Sequence, residues 1–202
     1  MEHKTFLHVG AGPNHKDRTT RAFAEPSWHE IRLDIDPESN PDILGDMRNM
    51  EGVATSSMDA VYSSHNIEHC YAHDVPKALR EFLRVLKPEG FLVITCPDLQ
   101  SVCQLIAQGK LLEACYQAPC GDIAPIDILY GHRASLARGN TFMAHKCGFT
   151  KDALVLTLQE VGFAQVASMR REAPFFDLFA LATKTVWPKD VLEQTARAHF
   201  PG

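Results

Sequence analysis

The sequence contains no apolar run long enough to cross a membrane and no cluster of basic residues. Its apolar runs fall well short of the roughly eighteen residues that a membrane-spanning helix needs. Lys and Arg number 20 against 25 Asp and Glu, a formal net charge of −5, and the densest basic pair is Arg170 with Arg171. Because nucleic-acid surfaces carry a basic stripe, we expect neither a membrane nor a nucleic acid as a partner.

A secretory signal and a disulfide framework are also missing. Charged residues occur within the first four positions, and no long apolar stretch follows them. The six cysteines have neither the spacing of a zinc knuckle nor that of a stapled secreted domain. We therefore predict a cytoplasmic protein with reduced thiols and no bound metal.

The chain does contain short apolar runs that alternate with amphipathic segments. Its 202 residues suit a single domain over 1–202. Short apolar runs bounded by Gly, Pro, Asp or Ser are typical of strands buried in a parallel sheet. The predicted strands are 5–9, 29–34, 42–46, 58–65, 91–96, 163–169 and 175–183. The predicted helices are 75–86, 101–114, 151–161 and 189–200.

This order predicts an α/β fold. Strands that alternate with helices imply a mostly parallel sheet with right-handed crossovers. We expect seven strands, helices on both faces and a C-terminal antiparallel hairpin. The rhythm breaks over about 98–150, where prolines and glycines occur without clear periodicity. We interpret this segment as an insertion that acts as a lid.

A glycine turn follows the first strand, and an acid ends the second. Gly10 and Gly12 lack a Cβ atom, so the backbone can turn sharply and a ligand can approach closely. Asp34 lies at the tip of the next strand, where a carboxylate can accept hydrogen bonds from a ribose diol. Together these residues predict a nucleoside-binding site at the carboxyl ends of the strands.

At this point the sequence resembles a known family, the class I S-adenosylmethionine-dependent methyltransferases of the type 11 group. Four blocks carry the resemblance: 7–13, 33–36, 58–69 and 83–91. The last block, Leu-Lys-Pro-Glu-Gly before an apolar strand, is the most specific. The resemblance implies a Rossmann-like fold and S-adenosyl-L-methionine as the cofactor. The chain departs from the family pattern at His8, where an acid is usual, and at Asn14, where a third glycine is usual.

The resemblance also implies a role for each matching residue. Gly10 and Gly12 would face the methionine and ribose part of the cofactor, and Asp34 would bind the ribose hydroxyls. Ile35 would pack on the adenine, and Asp46 would accept from its amino group, with Met47 beside it. Ser64 and His65 would border the methyl-transfer site.

Three histidines are candidates for a general base, if the acceptor must lose a proton. They are His65 at the end of the fourth strand and His132 and His145 in the insertion. An imidazole titrates near neutrality and can take a proton from a hydroxyl or an amine. A structural role for His132 and His145 is an equally open reading.

The letters His65, Glu68 and His69 also match a zinc-hydrolase motif. On a helix, this spacing places two imidazoles one turn apart with a glutamate as base. These residues follow a strand, however, and no third ligand is marked in the sequence. We prefer a local hydrogen-bonded brace of Glu68 and His69.

Methyl transfer to a small-molecule acceptor is therefore the leading hypothesis. One alternative is a domain that binds S-adenosylmethionine without turnover. A nicotinamide-dependent reductase is a weaker alternative, because the glycine that would pack the following helix is His15. A homodimer is left open.

Overall fold

The protein forms a seven-stranded sheet, as the sequence predicts. The structure is a computed structural model that describes residues 3–118 and 120–201. The strands of this sheet are β1 (Lys4–Val9), β2 (Trp28–Asp34), β3 (Ile43–Leu44), β4 (Met58–Ser64), β5 (Leu86–Pro97), β8 (Gln165–Arg171) and β9 (Asp177–Thr183). Two further short strands, β6 (Tyr116–Ala118) and β7 (Gly121–Ile123), pair with each other outside it.

The strand order is β3-β2-β1-β4-β5-β9-β8. The first five are parallel, whereas β9 is antiparallel to both β5 and β8. Val9 at the end of β1 lies opposite Leu33 of β2 and Ser63 of β4. Because parallel strands end at the same edge, the residues that follow β1, β2 and β4 lie together. The predicted parallel sheet with a C-terminal hairpin is confirmed.

Helices cover both faces of the sheet. The helices are α1 (Val75–Val85), α2 (Leu99–Ala107), α3 (Pro125–Tyr130), α4 (Arg133–Ala137), α5 (Lys151–Val161) and α6 (Lys189–His199). One face packs its apolar side chains against α1 and α5 in the larger core cluster. The other face packs against α6 and against Phe23, which comes from the segment between β1 and β2. A side chain from this irregular segment thus fills part of that second face.

The segment after β5 departs from the predicted helix over 101–114. The helix α2 ends at Ala107, and Gly109 follows with a φ of +81°. A glycine in a left-handed conformation ends a helix at little cost, so the chain turns there. The β6–β7 hairpin, α3 and α4 follow, and Val102, Ile128 and Phe176 form a separate small core. Residue 119 of the predicted insertion lies outside the described residues.

Within 3–118 and 120–201, every helix is too short or too polar to traverse a lipid bilayer.

Candidate functional site

A cavity of about 510 Å³ lies where the parallel strands end. Its walls come from the residues after β1, β2, β3 and β4, together with part of the insertion. Its volume falls within the range of about 300–1,000 Å³ that is common for small-molecule sites. Of the predicted site residues, the cavity is lined by Gly10, Gly12, Asp34, Ile35, Asp46, Met47 and His65.

The two glycines of the turn have different surroundings. Both are left-handed, with φ of +66° at Gly10 and +52° at Gly12. A Cβ atom at Gly10 would lie 1.9 Å from Asn66 Nδ2, which donates a hydrogen bond to the carbonyl of Val9. At Gly12, no heavy atom of a described residue beyond its chain neighbours lies within 4 Å of that position. The open approach is therefore at Gly12, whereas Gly10 makes room for Asn66.

Asp34 connects the glycine turn to the loop after β2. Its side chain is largely buried, and its Oδ2 accepts a hydrogen bond of 2.7 Å from the amide of Gly12. Its Oδ1 accepts one of 2.9 Å from the amide of Asp36. Each oxygen keeps a free lone pair, since a carboxylate offers about four acceptor sites. The same carboxylate can therefore shape the turn and still bind a hydroxyl.

The turn is also held by Arg32, which the sequence reasoning missed. This buried side chain donates hydrogen bonds to four carbonyls, two in the loop after β1 and two in the loop after β2. The acceptors are Gly12, Asn14, Ser39 and Asn40. A guanidinium carries five donors in a fixed fork, so one side chain can hold both loops. An arginine in the middle of an apolar strand is the signal that could have revealed it.

The unusual His8 is paired with an acid on the neighbouring strand. His8 Nδ1 lies 2.7 Å from Glu30 Oε1, and Glu30 Oε2 accepts a hydrogen bond from the amide of Lys16. Burial lowers the pKa of His8, an effect that the nearby Glu30 only partly offsets. Glu30 thus supplies a carboxylate that binds the loop after the glycine turn.

The acid after β3 is already paired with a cation. Asp46 accepts hydrogen bonds from both the amide and the guanidinium of Arg48, with an Oδ2 to Nη2 distance of 2.5 Å. Arg48 is the main reason that the pKa of Asp46 is lowered. Arg48 also donates to Asp74 at 3.1 Å. Met47, next to Asp46 in the chain, lines the cavity, and so does the exposed Ile35, which directly follows β2.

Ser64 and His65, at the end of β4, point to different places. The hydroxyl of Ser64 bonds to that of Thr95 at 2.8 Å and lies outside the cavity lining. His65 has a φ of +49° and lines the cavity. Its Nδ1 lies 3.6 Å from Glu68 Oε1, and its Nε2 lies 3.9 Å from Asp177 Oδ2. Burial would lower the pKa of His65, but these two carboxylates outweigh it and raise the pKa to about 9.

The other two candidate histidines lie outside the cavity lining. His132 Nδ1 is 2.9 Å from the hydroxyl of Ser135, within the insertion. His145 Nδ1 is 2.7 Å from the carbonyl of Ile128, and its ring lies 4.9 Å from the ring of His69. His145 therefore lies next to His69, which itself lines the cavity.

The insertion contributes one wall of the cavity, and the residues of this wall were not identified from the sequence. This wall consists of Asn140, Phe142, Met143 and Lys146. Phe142 is half exposed, and Lys146 Nζ lies 5.2 Å from the centre of the Tyr71 ring. This wall thus combines two apolar side chains with two polar ones.

Comparisons with known proteins show similarity to methyltransferases. Residues 7–94 match the family model described as "Methyltransferase domain". None of the curated proteins matches the chain. The Burkholderia thailandensis 1,6-didemethyltoxoflavin-N1-methyltransferase, solved with 1,6-didemethyltoxoflavin and S-adenosylhomocysteine, is a similar structure. It shares 16% identity over 92% of this chain and 72% of its own, with a TM-score of 0.59.

Two further structures share the fold. A protein from Methanosarcina mazei, described as a SAM-dependent methyltransferase, is 15% identical over 93% of this chain and 95% of its own, with a TM-score of 0.59. The Haemonchus contortus phosphoethanolamine N-methyltransferase 2, solved with phosphomonomethylethanolamine and S-adenosylhomocysteine, is 13% identical. The alignment covers 91% of this chain and 49% of the Haemonchus chain, with a TM-score of 0.57.

Proposed function

We propose that the chain is a class I S-adenosylmethionine-dependent methyltransferase and that it methylates a small-molecule acceptor in the cavity at the strand ends. The observation that carries the proposal is the position of the cavity. It lies against Gly12, Asp34 and Asp46, which lie at or just beyond the carboxyl ends of three neighbouring parallel strands. Ligands of open α/β sheets bind outside the carboxyl ends of the strands.

The residues of the cavity suit S-adenosylmethionine. Open space beside Gly12 lets a ligand lie directly against the backbone. The lone pairs left on the Asp34 carboxylate suit the two ribose hydroxyls. Ile35 and Met47 offer apolar surface to the adenine ring, and Asp46 can accept from the adenine amino group although Arg48 already binds it. We place Ser64 beneath this site, bonded to Thr95, instead of in contact with the cofactor.

When bound, S-adenosylmethionine supplies a methyl group that is already electrophilic because it is attached to a sulfonium. The protein then has to align the acceptor with this group and exclude water. His65 lies in the cavity wall between two carboxylates, with its Nδ1 3.6 Å from Glu68 Oε1 and its Nε2 3.9 Å from Asp177 Oδ2. We propose that this ring orients the acceptor through a hydrogen bond. The general-base role suggested by the sequence stays a prediction.

We propose that the insertion over 98–150 covers the acceptor. Phe142 and Met143 line the cavity from that side, and Asn140 and Lys146 add polar groups. Two of the structural neighbours were solved with small acceptors beside S-adenosylhomocysteine, which supports an acceptor of similar size. A cytoplasmic location and a homodimer stay predictions.

A pair of matched glycine variants tests the cofactor site. In Gly12→Ala the new methyl group enters the cavity, whereas in Gly109→Ala it enters open space at the end of α2. Both glycines have positive φ and no neighbouring atom within 4 Å, so the two changes carry similar backbone strain. We expect Gly12→Ala to weaken S-adenosylhomocysteine binding at least tenfold in calorimetry, and Gly109→Ala to leave it unchanged.

Equal affinities in the two variants would contradict this position for the cofactor. Turnover is tested separately, by incubating the protein with S-adenosylmethionine and mixtures of candidate acceptors and measuring S-adenosylhomocysteine by mass spectrometry. Binding without product for any acceptor would favour the alternative of a domain that binds the cofactor without turnover.

A further inference from the structure

Beside the cavity lies a buried carboxylate that has no hydrogen-bond partner. Glu68 is only 1% exposed, and neither of its side-chain oxygens has a partner among the described residues. The nearest basic nitrogen, His65 Nδ1, is 3.6 Å away, which is too far for a hydrogen bond. The brace suggested by the sequence is therefore absent at the Glu68 carboxylate. Buried carboxylates are normally paired or coordinate a metal ion.

Two histidines lie close to this carboxylate and use only Nδ1 in the hydrogen bonds to their neighbours. His69 Nδ1 lies 3.1 Å from the carbonyl of Ala144, and His145 Nδ1 lies 2.7 Å from the carbonyl of Ile128. A carbonyl can only accept, so in each ring Nδ1 carries the hydrogen and the lone pair of a neutral ring is on Nε2. Metal-binding histidines characteristically donate a hydrogen bond from their second ring nitrogen to a carbonyl or a carboxylate in this way.

The three side chains are held together by backbone contacts. One ligand atom from each of Glu68, His69 and His145 lies within 4.8 Å of the other two. The carbonyl of Glu68 accepts hydrogen bonds from the amides of Lys146 and Cys147, which fixes the insertion against the turn after β4. Ligands of one tetrahedral zinc ion stand about 3.3 Å apart, so small side-chain rotations would close the cluster on an ion.

We propose that Glu68, His69 and His145 bind one divalent transition-metal ion at the wall of the cavity. Two imidazoles and one carboxylate form a ligand set that suits zinc and its first-row neighbours and leaves coordination positions open. His69 belongs both to the cluster and to the cavity lining, so the open positions face the proposed acceptor. An oxygen atom of the acceptor would suit these open positions. This role for the acceptor rests on the proposed function, whereas metal binding itself does not.

This site differs from the zinc-hydrolase motif considered in the sequence. Residues Ile67–His69 form a single 3₁₀ turn, and His65 has left-handed backbone angles, so His65 and His69 do not share one face of a helix. The third ligand, His145, comes from the insertion. The site also departs from the expectation that the protein binds no metal.

Metal titration of the full chain tests the proposal. Protein freed of metal with a chelator is titrated with Zn²⁺ by calorimetry, and with Co²⁺ by visible absorption. We expect one ion per chain, and at least a hundredfold weaker binding in Glu68→Gln and in His145→Gln. His132→Gln is the matched control, because His132 lies in the same insertion but bonds to Ser135. It should bind metal as the wild type does.

A second measurement keeps the test independent of folding. Without metal, Glu68→Gln removes an unpaired buried charge and should melt at the same or a higher temperature than the wild type. Zn²⁺ should then raise the melting temperature of the wild type and leave that of Glu68→Gln unchanged. No saturable binding, or equal binding in the wild type and both cluster variants, would overturn the proposal.

S-adenosylhomocysteine titration of the metal-free protein separates this proposal from the proposed function. Cofactor binding without metal binding would refute the metal site alone. Metal binding without cofactor binding would refute the proposed function alone.

Discussion

The carboxylate of Asp34 accepts a hydrogen bond of 2.7 Å from the backbone amide of Gly12. The acid at the end of β2 thus holds the glycine turn at the end of β1, 22 positions earlier in the chain. In this protein the proposed ribose-binding residue is also part of the framework of the turn. Changes at Asp34 should therefore affect both stability and cofactor affinity.

We expect Asp34→Asn to lower the free energy of unfolding by about 1–3 kcal/mol, since one of the two amides then faces an NH₂ group instead of an acceptor. S-adenosylhomocysteine affinity should fall with it. Asp42→Asn is the control, because Asp42 accepts from the amide of Arg32 at 2.7 Å but lies outside the cavity lining. The asparagine oxygen can still accept this bond, so stability in urea denaturation should change little and the affinity should stay unchanged. Equal losses of affinity in both variants would contradict a direct role for Asp34.

Arg32→Lys should loosen the two loops that flank the cavity. Lysine keeps the positive charge but offers a single ammonium in place of the fork that reaches four carbonyls. Unsatisfied buried carbonyls cost about 1–3 kcal/mol each, so we expect a loss of stability of at least that size. Hydrogen exchange should speed up in both loops.

Arg80→Lys provides the comparison for this change, because Arg80 is exposed on α1. Its stability and exchange rates should match those of the wild type. Unchanged exchange in the loops of Arg32→Lys would mean that the guanidinium is not what holds them.

His199 should make the protein less stable in mild acid. This histidine is 4% exposed, lies 2.7 Å from the hydroxyl of Thr20 and packs against Phe23, and burial lowers its pKa to about 4. The unfolded chain binds the proton near pH 6.5, whereas the folded chain does not until about pH 4. The stabilising contribution of the neutral ring is therefore present above pH 6.5 and is lost as the pH falls toward 4. The loss is at most about 1.4 kcal/mol per pH unit.

His199→Gln can still bond to Thr20 but has no group that titrates in this range. We expect the unfolding free energy of the wild type, relative to this variant, to fall between pH 6.5 and pH 4 in urea titrations. A difference that does not change with pH would show that His199 is already charged in the folded protein.

The sequence predicted most of the fold because its signals are local. The buried strands appear as apolar runs, and α1 and α5 show apolar residues at spacings of three and four, with Thr150 capping α5. The overlong helix after β5 shows the limit of such signals. Apolar residues continue past Gly109, and only its left-handed conformation reveals that α2 has already ended.

The mostly parallel sheet, the glycine turn and the acid at the end of β2 follow from the sequence alone, because each depends on neighbouring residues or on general rules of parallel sheets. Which side chains fill or surround the cavity was decided by tertiary contacts. Asn66 occupies the space beside Gly10, and Glu68 meets His145 from 77 positions further along the chain. Such contacts between distant residues leave no periodic trace in the sequence, so only the folded structure brings them into view.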